Sequence, residues 1–207
     1  MDRKAAERAI ADFLRALGHE PQGELGRTPA LVAQAWTEEL LAGYELDAAR
    51  ILRENAVPVE PGQTSLVALR GLRVITICPH HLLPAHGEAT VIYLPRDRVA
   101  GFGAIARALD AETRRLTFQE RAGTSMAELM VAELGARGAL CRLRLVHTCL
   151  VTRGSRQATA LVDSVAFAGS FSDPGPDRQA ALCALGAAPD AALLVADPHS
   201  PGREPLG

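Results

Sequence analysis

From Ser65 onward the apolar residues stop recurring every third or fourth position and begin to alternate, and that switch decides what the chain can fold into. Before it, Ala6, Ile10, Phe13, Leu14 and Leu17 keep a helical period over residues 2–17, ending at Gly18. Thr28-Pro29 reads as a second helix start, with Thr28 as cap and Pro29 in the first turn; Val32, Trp36, Leu40 and Leu41 carry it to Gly43. A loop rich in Pro and Gly is expected near 55–63. Past the switch, 65–69 and 72–78 read as strands around an Arg70-Gly71 hairpin turn, and 88–94 as a strand closed by Pro95. Helices are expected over 102–109 and 119–134. Long strands over 140–151 and 158–167 follow, joined by Arg153-Gly154-Ser155, and then a short helix over 177–185. This order predicts an α+β fold, an antiparallel sheet with helices on one face. The expected divisions are an N-terminal helical region (1–60), a sheet-bearing main domain (61–187) and a flexible tail (188–207).

Composition narrows the function classes. The 207 residues are 48% hydrophobic and 22% charged, which suits a globular chain with a real core. A net charge of −2 gives no bulk electrostatic case for nucleic acid or an anionic membrane. No apolar run approaches the roughly 20 residues of a membrane span, and Met1–Glu7 holds no apolar signal segment, so a cytoplasmic protein is expected. Aromatic residues are only 4%, so the core is aliphatic, and Lys4 is the sole lysine, which excludes lysine chemistry further along. The four cysteines, at 78, 141, 149 and 183, make no dense disulfide framework.

Two of those cysteines keep unusual company. Cys78-Pro79-His80-His81 puts three metal-capable groups within four residues at an expected strand end, and His147-Thr148-Cys149 forms a second cluster far along the chain. Residues two apart in a strand share a face, so His147 and Cys149 are expected to look into one pocket. Zinc takes Cys sulfur and His nitrogen tetrahedrally, and a catalytic site uses three protein ligands and leaves one position open. Cys78, His81 and Cys149 make such a set. His80 and His147 are then spare imidazoles suited to acid–base work near neutral pH. The competing reading, buried structural cysteines and solvated histidines, suits one isolated residue better than two clusters; it does fit Cys141 and Cys183, which sit in apolar surroundings. Gln119-Glu120 opens the longer helix. A carboxylate there can accept from the helix's own amides, or from the paired N–H groups of a guanine-like edge.

The segment from Ile77 to Arg107, the later Gln119-Glu120-Arg121 and the stretch from Val146 to Gly154 together resemble the GTP cyclohydrolase I family; so does the upstream helix that starts at Thr28-Pro29. The resemblance covers roughly residues 10–185. It implies the tunnelling fold and a homo-oligomer, a decamer of two pentamers with active sites at subunit interfaces. It also implies a hydrolase that opens the imidazole ring of GTP at C8, releases formate and rearranges the ribose to give dihydroneopterin triphosphate. Carried over by position, Cys78, His81 and Cys149 match the zinc ligands, and His80 and His147 the catalytic histidines. Gln119 and Glu120 match the residues that hold the pyrimidine edge, and Arg107 and Arg153 match arginines facing the phosphates.

The departures from the family pattern are concentrated. Pro79 stands where the family has an acidic residue. Leu31 and Gln34 stand where it has an arginine and a lysine, and Gly103-Ala104 where it has Ser-Lys. A triphosphate site uses several charge-assisted hydrogen bonds of roughly 1.5–3 kcal/mol each. Losing three cationic positions and one hydroxyl leads to the expectation of a purine substrate without a triphosphate, a guanine-type base such as 8-oxoguanine or a nucleoside. The alternative is an authentic GTP cyclohydrolase I that binds phosphate through others of its arginines. A zinc-bearing scaffold without catalysis is a third reading, which the retention of both spare histidines opposes.

Overall fold

The computed structural model describes residues 1–60 and 65–186. The expected tail over 188–207 lies outside the described residues. Helix α1 (Arg3–Ala16) begins where the Asp2 carboxylate accepts from the Ala5 amide at 2.9 Å; no residue of α1 is buried. Helix α2 (Thr28–Gln34) has Pro29 in its first turn as expected, but Arg27 precedes it as cap and the Thr28 side chain caps nothing. The helix does not run on evenly to Gly43. It widens into a π-helical segment, Ala35–Leu40, and then tightens into a 3-10 turn, Ala42–Glu45. Gly43 permits this close packing: a Cβ there would lie 2.8 Å from the carbonyls of both Ala111 and Arg114.

A strand begins inside the expected 55–63 loop. Helix α3 (Ala48–Glu54) leads into strand β1 (Ala56–Pro58), which pairs with β4 (Arg98–Ala100). The main sheet has four antiparallel strands in the order β2 (Val67–Ile77), β3 (Pro84–Leu94), β5 (Gly138–His147) and β6 (Val162–Gly169). The expected hairpin at Arg70-Gly71 is instead a bulge within one long strand. The β2–β3 register shifts between Leu69 and Leu72, and Gly71 takes a positive φ of 65°. An Arg-Gly pair between two alternating runs has the composition of either feature, and pairing with the equally long β3 decides for the bulge.

Helices α4 (Phe102–Thr113) and α5 (Gln119–Leu134) pack on one face of the sheet. They bury Ile105, Leu109, Met126 and Met130 against Ala89, Val91 and Tyr93 of β3, with Ile51 and Leu52 of α3 joining the same core. Each large aliphatic side chain so buried contributes roughly 1.5–3 kcal/mol relative to exposure. The sequence predicts helices on one face only, and the structure corrects that expectation. Helix α7 (Pro176–Leu185) covers the far end of the opposite face, where Ala181 and Leu185 meet Ile92, Leu94, Leu140 and Phe171. The strand alternation explains it: Ile92, Leu94 and Leu140 point away from α4 and α5 and need a cover of their own. No helix among the described residues is long and apolar enough to cross a membrane.

Candidate active site

The sheet register brings the two Cys/His clusters together. Ile77, the last residue of β2, lies opposite Pro84 of β3, and Ala85 lies opposite His147, the last residue of β5. Both clusters therefore leave the sheet at the same end, on either side of β3. The chain from Cys78 to Leu83 closes on itself: the Cys78 amide donates to the Leu83 carbonyl and the Leu82 amide to the Cys78 carbonyl, each at 2.9 Å. Leu82 holds a positive φ of 52°, uncommon for a leucine.

Cys149 arrives differently from expectation. The strand stops at His147, and Thr148–Val151 forms one helical turn, α6, so Cys149 is not a strand neighbour two positions from His147. The Thr148 hydroxyl donates to the Pro84 carbonyl at 2.6 Å and pins this turn to β3. The outcome foreseen for the pair survives the change of backbone: His147 and Cys149 line the same cavity.

The ligand atoms of Cys78, His81 and Cys149 all lie within 4.8 Å of one another, with Cys78 Sγ 3.7 Å from His81 Nδ1. Tetrahedral zinc with Zn–S about 2.3 Å and Zn–N about 2.0 Å sets such atoms roughly 3.5–3.8 Å apart, so the donor set fits a metal ion. Burial, followed by the charge and hydrogen bond of the Cys78 thiol, pushes the Cys149 thiol up, while Arg153 pulls it down. Zinc binds cysteine as thiolate, so holding an ion here would release protons.

Helix α5 reaches the site through a short cross-connection. The Ile77 amide donates to the Arg115 carbonyl and the Thr117 amide to the Ile77 carbonyl, both at 3.2 Å, which places Phe118, Gln119 and Glu120 beside Cys78. These residues, the two clusters and a few neighbours enclose about 330 Å³. Gln119 is buried, and its Oε1 lies 2.8 Å from His147 Nε2. Burial lowers the His147 pKa, and the Glu120 carboxylate opposes that shift. Glu120 and His80 are exposed and line the cavity. The His80 ring tilts against Phe118, centroids 5.2 Å apart. Sequence reasoning passed over Phe118; an aromatic residue next to Gln119 in a chain with so few was the available signal.

The two arginines stand apart from this group. Arg153 is exposed in the loop after α6, near enough to Cys149 to act on its thiol. Arg107 is exposed on α4 and does not line the cavity; no arginine or lysine among the described residues does.

The family model for GTP cyclohydrolase I matches residues 6–185. The chain belongs to the GTP cyclohydrolase I family. It is similar to the GTP cyclohydrolase 1 of Leifsonia xyli, 40% identical over 189 residues, which cover 90% of this chain and 98% of that protein. The GTP cyclohydrolase 1 of Ralstonia nicotianae is 36% identical and that of Mycobacterium ulcerans 35%, covering 82% and 87% of this chain and 80% and 89% of theirs. Members of the GTP cyclohydrolase I family are hydrolases of a cyclic amidine, and this chain is an enzyme of that class.

Proposed function

We propose that the protein is a zinc-dependent hydrolase that opens the imidazole ring of GTP at C8, releases formate and forms dihydroneopterin triphosphate. One observation carries the reading: Cys78, His81 and Cys149 converge in a cavity that also holds His80, His147 and Glu120. Relatives named GTP cyclohydrolase 1, at 33–40% identity over most of both chains, support GTP as the substrate ahead of the triphosphate-free purine that the replaced positions favour.

Cys78, His81 and Cys149 would hold the zinc, which when bound supplies an activated water at neutral pH. Glu120 accepts the paired N–H groups of the guanine edge and fixes the ring, a positioning effect that lowers the barrier. His147, whose burial favours the neutral ring, and His80 move protons at the ring nitrogens as the C8–N bond breaks. Arg153 stands at the site's edge for phosphate. Arg107 lies outside the single-chain cavity, which agrees with a site completed by another copy in a decamer of two pentamers.

A second reading keeps one specific support. Leu31 is 51% exposed, Gln34 accepts from Arg3 and donates to Glu38, Gly103 is exposed and Ala104 is packed in the core, so none of the four offers a cation. On that ground the substrate is a guanine-type base, such as 8-oxoguanine, or a nucleoside. Incubation with GTP, guanosine, guanine and 8-oxoguanine, followed by purine absorbance and formate release, separates the two. Turnover of GTP alone is expected. Turnover of guanosine or a base with GTP inert transfers the assignment to the second reading, and no turnover of any of them removes both.

A further inference from the structure

Gln119 is 1% exposed, and polar groups surround its amide. Nε2 donates to the Leu143 carbonyl at 2.9 Å and the Ser164 hydroxyl at 2.9 Å, with the Val162 carbonyl at 3.2 Å. Two of these three groups are main-chain carbonyls, which only accept. A flipped amide would turn its oxygen against both, so the orientation is fixed. Oε1, facing His147 Nε2 at 2.8 Å, can then only accept, and the proton between them belongs to His147 Nε2. In the neutral ring the lone pair is on Nδ1.

We infer that Gln119 is a positioning residue that locks His147 in the Nε2–H tautomer and does not grip the purine, leaving His147 Nδ1 as the atom that exchanges protons with the substrate. Both N–H groups of Gln119 are spent on β5 and β6 and its oxygen on His147. Of the Gln119-Glu120 pair, Glu120 alone then presents a free polar edge to the cavity. During turnover Nδ1 takes the proton that the attacking water gives up, forming the imidazolium, and passes it to the departing ring nitrogen as the C8–N bond breaks, while the other proton stays on Nε2, hydrogen-bonded to Gln119 Oε1. The catalytic consequence rests on the cyclohydrolase reading above; the tautomer does not.

The test uses the zinc-loaded full chain with ¹⁵N-labelled histidine, at mildly alkaline pH where the ring is neutral, and with His147→Gln to assign the signal. The expected spectrum shows a protonated Nε2 and a bare Nδ1 for His147; a protonated Nδ1 overturns the inference. Kinetics give a second arm. Gln119→Leu is expected to lower kcat roughly 10- to 100-fold with KM within about threefold. A raised KM with unchanged kcat would return Gln119 to the purine. Should Gln119→Leu fail to fold, the wild-type spectrum still decides. A protein that turns over no purine but shows the Nε2–H signal defeats the activity reading and leaves the tautomer standing.

Discussion

Cys141 lies wholly inside the helix-covered face of the sheet, where burial pushes its thiol up to about 12. At neutral pH almost none of it is thiolate, the form that reacts. Cys183 is exposed. Maleimide labelling of the folded protein, read by peptide mass spectrometry, is therefore expected to mark Cys183 and spare Cys141; prompt labelling of Cys141 would contradict the buried placement. Cys78 and Cys149 should behave conditionally, protected when zinc is loaded and labelled after chelation. Glu120→Ala and His147→Ala are each expected to cut turnover by orders of magnitude while circular dichroism stays unchanged. Near-wild-type rates in either would take that residue out of the mechanism. Residue types carried much of this: a Cys-Pro-His-His run and a His-Thr-Cys run announce metal chemistry on their own. They do not announce that Gln119 turns its amide inward, because the carbonyls of Leu143 and Val162 that fix it belong to strands distant in sequence.

Strand alternation made the antiparallel sheet legible, and the apolar spacing located α1, α4 and α5. What escaped were short elements set by their neighbours. Helix α3 spans seven residues, too few to establish a period, and exists because Ile51 and Leu52 dock into the core beneath α4 and α5. Helical turn α6 interrupts a run that reads as strand because the Thr148 hydroxyl binds the Pro84 carbonyl, a contact that only the β3–β5 register supplies. That register leaves little slack. A Cβ on Gly87, opposite Leu145, would run into the Arg144 main chain. Gly87→Ala is expected to destabilise the protein by roughly 1–3 kcal/mol in urea denaturation, by forcing β3 and β5 apart. An unchanged midpoint would mean the strands can separate without cost.

Across the molecule, the two faces of the sheet carry separate apolar clusters, one under α4 and α5 and the other under α7. The metal-capable residues belong to neither; they sit beyond the strand ends. Cys78 and His81 follow β2 and Cys149 follows β5, so β3 runs between them and is hydrogen-bonded to both neighbours. An ion at that point would rivet the two outer segments over the strand between them, and the unfolded chain, in which Cys149 lies far in sequence from Cys78 and His81, would hold it far less tightly. Binding to the native form alone adds stability as RT ln(1 + [L]/Kd), about 2.7 kcal/mol at a hundredfold excess over Kd. The melting temperature should then climb steadily with free zinc, and Cys149→Ser should flatten that climb, which makes heat resistance a gauge of how well the cell supplies the metal.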